Sequence, residues 1–237
     1  MKILAVDTAT RSCSVAITDQ DTLLAELTDN SGQTHSKHLL PMIKAAIRMA
    51  KVAPVDLEGL AVTVGPGSFT GLRIGISSVK GLALALDKTV VGISSLDALA
   101  WQSTPTPFVI CAMLDARKGE VYCCRYRFDG GALVKETREQ VLATAEVLRN
   151  IDEPCVFIGN GARYYAKTIM AQLGVLAHFA LPGQNAIRAS TVAYLSRARF
   201  ENQDTVDIAQ LVPHYIRKSD AELGFTPPMR SSRLPPA

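Results

Sequence analysis

Hydrophobic and polar positions along the first hundred residues fall into short runs before they settle into a helical period. Ile3 to Val6, Ser14 to Thr18 and Leu23 to Leu27 are short apolar or β-branched runs. They predict three strands in a meander, with Asp19-Gln20-Asp21 as a tight connection. From Leu39 the apolar positions Leu39, Ile43, Ala46, Ile47 and Ala50 recur at helical spacing. Pro41 lacks a backbone donor, which moves the expected start of the regular helix to about Leu40, after a turn through His35 to His38. Leu60 to Val64 reads as a strand ending at Gly65-Pro66-Gly67, and a second helix is expected after Ser68, running to about Leu86. Thr89 to Ile93 predicts a fifth strand.

After Pro105 and Pro107 the order begins again. Phe108 to Leu114 ends at Asp115 and Val121 to Tyr126 returns after Lys118-Gly119, as Ile3 to Val6 ends at Asp7 and Ser14 to Thr18 returns. A repeated unit of strand, acidic turn and strand predicts two duplicated α/β halves, residues 1–103 and 104–218. Val156 to Ile158, a Gly159-Asn160-Gly161 turn, and helices near Arg163 to Gln172 and Ala189 to Arg199 complete the second half. The proline-bearing segment 219–237 has little to bury and is expected to be disordered.

Composition narrows the class. Of 237 residues 48% are hydrophobic, enough for a sizeable core. No basic leader or cleavage site precedes the first strand, and Lys80 and Asp87 interrupt the longest apolar stretch, so neither secretion nor a membrane span is expected. Five cysteines without CxxC spacing indicate neither a disulfide framework nor a zinc ribbon, and suit reduced thiols in a cytoplasm. The net charge is +3, and residues 104–218 hold 14 basic against 11 acidic residues. Without a run of basic residues, a stand-alone nucleic-acid binder is not expected, and RNA contact would be shared with a partner.

Candidate chemistry lies in the turns. A carboxylate at a strand's C-terminal edge can hold hydrated Mg²⁺, and neighbouring hydroxyls and N–H groups can hold phosphate oxygens. Asp7, Thr8 and Thr10 therefore form a candidate phosphate turn. Ala9 stands where close phosphate approach wants glycine, and Asp115-Ala116-Arg117 shares that departure, so a vestigial site is the favoured reading. Gly65 to Arg73 is neither a Walker loop nor a GxGxxG fingerprint, and reads as a strand-to-helix turn with Ser68 as N-cap. In the helix it opens, Phe69, Leu72, Ile76, Val79 and Ala83 form a coiled-coil-like seam beside a small-residue stripe that includes Gly75. These six residues are the expected partner interface, aided by Met42, Ile47 and Met49 of the first helix. His35 and His38 lack a third ligand and make a poor metal site. No catalytic residue and no metal ligand is assigned.

Leu4 to Thr10, His35 to Pro41, Gly65 to Arg73, Gly92 to Leu99 and Leu114 to Tyr122 stand in an order that resembles the TsaB (YeaZ) family, and Pro213-His214-Tyr215-Ile216-Arg217 resembles its C-terminal motif. The resemblance implies an actin/Hsp70-like (ASKHA) fold of two α/β halves, dimerisation through the two N-terminal helices, and assembly with TsaD and TsaE. That assembly transfers threonylcarbamoyl to the adenosine next to the tRNA anticodon. The His-x-x-x-His motif of TsaD has no counterpart in Ser94 to Leu99, so the resemblance implies a non-catalytic subunit, touching tRNA through the complex, with no cofactor of its own beyond ATP or ADP held in the assembly. The isolated chain could form a homodimer. An independent actin-like ATPase or small-molecule kinase, which would need intact phosphate turns, is the alternative.

Overall fold

The two acidic turns of the sequence cap the first strands of two sheets built to one plan. The computed structural model describes residues 1–32, 34–103 and 105–217. The expected segment 219–237 lies outside the described residues. The first half runs β1 (Lys2–Asp7), β2 (Cys13–Asp19), β3 (Thr22–Asp29), α1 (His35–Ala50), β4 (Gly59–Gly65), α2 (Phe69–Leu86), β5 (Val90–Ser94) and α3 (Ser95–Trp101). The second runs β6 (Val109–Arg117), β7 (Glu120–Asp129), β8 (Ala132–Lys135), β9 (Gln140–Ala143), α4 (Thr144–Arg149), β10 (Cys155–Ile158), α5 (Asn160–Tyr164), α6 (Ala166–Leu173), β11 (Ala177–Phe179) and α7 (Ala189–Glu201).

The strand orders are β3-β2-β1-β4-β5 and β8-β7-β6-β10-β11. In each, the first three strands pair antiparallel and the last two join the first in parallel. The duplication expected from the repeated strand and acidic turn is therefore present in topology. Strand β9 pairs with β7 outside this common order.

Three apolar clusters hold the layers. One lies between α1, α2 and the first sheet, around Leu4, Val6, Ile17, Leu39, Ile43 and Ile76. Another lies beneath α4 and α6, around Met113, Leu148, Phe157 and Ile169. The central cluster joins both sheets: Ile3, Ala5 and Ala61 meet Leu96, Leu99, Ile110, Leu114, Val192 and Ala193. Helix α7, assigned by sequence to residues 104–218, covers the inner face of β1 and β2 in the first half. The division at residue 103 thus separates the sheets but not the layers.

Several expectations change. Helix α1 starts at His35 rather than near Leu40, because Pro41 and Lys37 are both exposed and water can serve the carbonyl left without an N–H partner. Gly159-Asn160-Gly161 opens helix α5 instead of a free turn, and α3, α4 and the short strands β8, β9 and β11 were not foreseen. Helix α2, with 18 residues, has by itself the length and apolar character to cross a membrane despite Lys80. It lies along the sheet as a core helix, with Leu72, Ile76, Val79 and Ala83 buried.

That packing corrects the expected partner interface. Leu72, Gly75, Ile76, Val79 and Ala83 point into the chain's own core, and Phe69 is partly covered by Tyr215. The 3-4 spacing read as a seam for another protein is the seam for the first sheet. The outward face of α2 is instead Thr70, Arg73, Ser77, Gly81, Leu84 and Ala85.

Candidate functional site

Strand β1 delivers Asp7 to its C-terminal edge on the inner side of the sheet, where the side chain is fully buried. Its Oδ1 accepts hydrogen bonds from Thr63 Oγ1 (2.7 Å) and Ala9 N (3.2 Å), while Oδ2 has no partner. Burial pushes the carboxyl up to about 7, and the two hydrogen bonds counter only part of that rise. Asp7 is thus a group inside the protein at the place where a metal-binding carboxylate would need an open oxygen.

The neighbouring donors are also occupied. Thr8, buried, donates from Oγ1 to Gly71 O at 2.8 Å, and Ser68 N donates to Ala9 O at 2.7 Å. Ser68 caps α2 as expected, accepting from Gly71 N. The first turns of α2 come so close that a Cβ on Gly67 would overlap Ala9 O, one on Gly71 would overlap Thr8 O, and one on Gly75 would overlap Thr8 Oγ1. The small-residue stripe accordingly serves the approach of α2 to the β1–β2 turn. Thr10, partly exposed, exchanges a hydrogen bond with Ser12 Oγ at 2.7 Å, and His35 Nε2 lies 2.8 Å from Thr10 O. Asp7, Thr8 and Thr10 are brought together as expected, but the hydroxyls are engaged internally, and the one unpartnered carboxylate oxygen, Asp7 Oδ2, is shut away from solvent. The first turn does not fit a magnesium-bound phosphate.

The second turn differs. Asp115 Oδ1 accepts from Arg117 N at 3.0 Å, and Arg117, Lys118 and Gly119 all adopt left-handed backbone angles, making a sharp hairpin tip. The segment Pro213 to Arg217, without regular secondary structure, straps the β4–α2 turn of the first half to the hairpin tip of the second. His214 N donates to Val64 O at 2.7 Å, Tyr215 stacks on Phe69 with centroids 4.7 Å apart, and Arg73 Nε donates to Tyr215 OH at 3.0 Å. Arg217 then reaches the other half, donating to Ala116 O at 2.7 Å and pairing with Glu120 at 3.1 Å.

Beside the strap, a cavity of about 480 Å³ is lined by Gly65, Ser94, Lys135, Arg138, Glu139 and His214, among others. Lys135 bridges Asp97 (2.8 Å) and Glu139 (3.1 Å), Ser94 donates to Glu139, and Tyr126 OH donates to Asp97 Oδ1 at 2.7 Å. Burial, followed by the Asp97 charge, raises the Tyr126 hydroxyl far above its usual range, so it remains a donor. Sequence reasoning missed this network. Its members come from β5, α3, β7, β8 and the loop before β9, and only the Lys135–Glu139 spacing offered a signal.

A family model described as TsaD, tRNA N6-adenosine threonylcarbamoyltransferase, matches residues 22–225. The tRNA threonylcarbamoyladenosine biosynthesis protein TsaB of Bacillus subtilis is 32% identical over 225 residues, covering 94% of this chain and 96% of that protein. The chain belongs to the TsaB family. The TsaB of Escherichia coli is 36% identical over 168 residues, covering 68% of this chain and 72% of its own length. Among solved structures, YeaZ from Pseudomonas aeruginosa superposes with a TM-score of 0.77 at 30% identity, covering 90% of this chain and 99% of that one. The Acidaminococcus fermentans (R)-2-hydroxyglutaryl-CoA dehydratase component A shares the fold alone, with a TM-score of 0.51 at 12% identity. With the duplicated sheets, these likenesses give TsaB-family membership and the actin/Hsp70-like fold expected from sequence.

Proposed function

We propose that the chain is a non-catalytic subunit of a TsaB–TsaD–TsaE assembly for threonylcarbamoyl transfer to tRNA, acting by binding and activating TsaD. The observation that carries this reading is the closed first turn. Helix α2 and the turn before it occupy the space over Thr8 and Ala9, and the one unpartnered oxygen of Asp7, Oδ2, is buried out of reach of solvent, so this position supplies neither a phosphate cradle nor a metal ligand. Among the described residues no three His, Cys, Asp or Glu side chains stand close enough to share a metal ion, which supports assigning the metal-centred chemistry to TsaD. Nucleotide, where the assembly holds one, is then not bound at this turn.

The partner surface in this reading is the outward face of α1 and α2. Ser77, Gly81 and Ala85 recur every four residues and let another helix approach, flanked by Leu84, Leu40 and Met49, all exposed. A homodimer of the isolated chain would use the same face. The test is co-purification with TsaD and TsaE from the same source, followed by a tRNA modification assay in which each subunit is omitted. The reading requires that omission of this chain abolish modification and that the chain alone modify nothing. Steady ATP turnover by the purified chain, or full modification without it, would overturn it.

A further inference from the structure

From Pro154 to Phe200 the sequence contains no Asp or Glu, while it carries Arg163, Lys167, Arg188, Arg197 and Arg199. Three of these cations are tied elsewhere: Arg188 to Glu26, Arg197 to Asp21 and Glu201, and Arg199 to Asp204. Two are left. Arg163 and Lys167 are exposed on α5 and α6, and among the described residues neither forms an ion pair.

Between them stands Tyr164, whose ring is 74% exposed. It is braced rather than loose, because Tyr165 meets it edge-on at 4.8 Å. The bond from Asp115 N to Asn160 Oδ1 at 3.0 Å sets the start of α5 against the end of β6, at the hairpin tip. The tip, two residues on from Asp115, carries the exposed Arg117 to the same corner. The nearby carboxylates are largely engaged: Asp115 accepts from Arg117 N and Glu120 pairs with Arg217, while Glu146 stays exposed on α4.

We propose that this corner, formed by Arg117, Arg163, Tyr164 and Lys167, is a direct RNA-binding surface that takes a phosphodiester strand and stacks one base on Tyr164. Cations around a solvent-facing aromatic ring match a polyanion whose bases offer flat faces, since phosphates attract the cations and any base can stack on the ring. An acidic protein segment would use the cations but not the ring. The inference rests on the proposed role in tRNA modification, and it replaces tRNA contact through the complex alone with contact by this chain.

The test is the affinity of the full chain for an unmodified tRNA transcript, measured by fluorescence anisotropy across a salt series. Arg163→Ala/Lys167→Ala is expected to bind roughly tenfold more weakly at low salt, with the slope of log affinity against log salt reduced by about 1.5. Tyr164→Ala should weaken binding by about fivefold or more without changing that slope. The charge-conserving pair Arg163→Lys/Lys167→Arg should restore binding, and thermal melts should match the wild type throughout. Co-purification with TsaD is expected to survive in every variant. The assignment is overturned if the wild-type chain does not bind the transcript, if the double alanine variant keeps wild-type affinity and slope, or if it loses TsaD instead, which would make the corner a protein interface. If RNA binding behaves as expected while omission of the chain leaves modification intact, the surface stands and the proposed role in the assembly fails.

Discussion

Gly75 and Thr8 occupy one space: the absent side chain of the glycine is filled by the threonine hydroxyl, which donates to Gly71 O at 2.8 Å. A methyl group at position 75 must displace a buried β-branched side chain and break that bond. Overfilling should outweigh the helix propensity gained, so Gly75→Ala is expected to destabilise the chain by about 2 kcal/mol. On the same helix, a Cβ at Gly81 meets nothing within 4 Å, and Gly81→Ala should stabilise by up to about 1 kcal/mol. Thermal or urea melts of the isolated chain read both signs. Equal effects at the two positions would contradict the packing.

Asp7 gives stability a pH dependence of known sign. Its folded-state pKa, near 7, lies above the ordinary value of 3.8, so between these limits the folded state binds more protons than the unfolded one. This contribution to stability is undiminished below about pH 4, declines as pH rises to about 7, and is then lost by a constant amount of up to about 4 kcal/mol. Asp7→Asn removes the titration. The variant should gain relative to the wild type as pH rises from 4 to 7, as measured by urea unfolding at several pH values, and a constant difference across that range would refute the assignment.

Arg217 should hold the strap to the second half. Arg217→Ala removes both the bond to Ala116 O and the pair with Glu120, and is expected to lower stability by about 1–2 kcal/mol. The more specific readout is hydrogen exchange at the amide of His214, which is bonded to Val64 O in the first half. Exchange there should accelerate while amides in β1 and β6 keep their protection.

The two faces of α2 should separate folding from association. Ile76→Asp places a charge in the core between helix and sheet and should unfold the chain. Ala85→Arg alters only the exposed face, so its melt should match the wild type while co-purification with TsaD falls. A folded Ile76→Asp variant, or an Ala85→Arg variant with undiminished TsaD binding, would count against the corrected surface.

Strand periodicity and the two acidic turns made the duplicated sheets legible, since alternation and β-branched runs are local signals. The direction of α2 was not legible. A seam spaced 3 and 4 residues apart looks the same whether it meets a sheet of its own chain or a foreign helix, and only the burial of Leu72, Ile76 and Val79 decides. Asp7, Thr8 and Thr10 were correctly gathered at one turn, but the closing of that turn depends on Gly67, Gly71 and Gly75 more than fifty residues later. The basic corner was hidden for a related reason. Charge counts over a whole half mix Arg163 and Lys167 with cations such as Arg188 that are tied to the other half.

The reach of α7 has a consequence for biosynthesis. The strands of the first sheet are complete once Ser94 has been made, yet Ile3, Ala5 and Ala61 on its inner face are covered by Val192, Ala193 and Phe200. At roughly 5–20 residues per second, the intervening stretch of about 100 residues keeps a ribosome busy for on the order of 5–20 seconds. For that interval the part of the nascent sheet's inner face that α3 does not cover lies open, and the earliest strands of the chain wait for its last described helix.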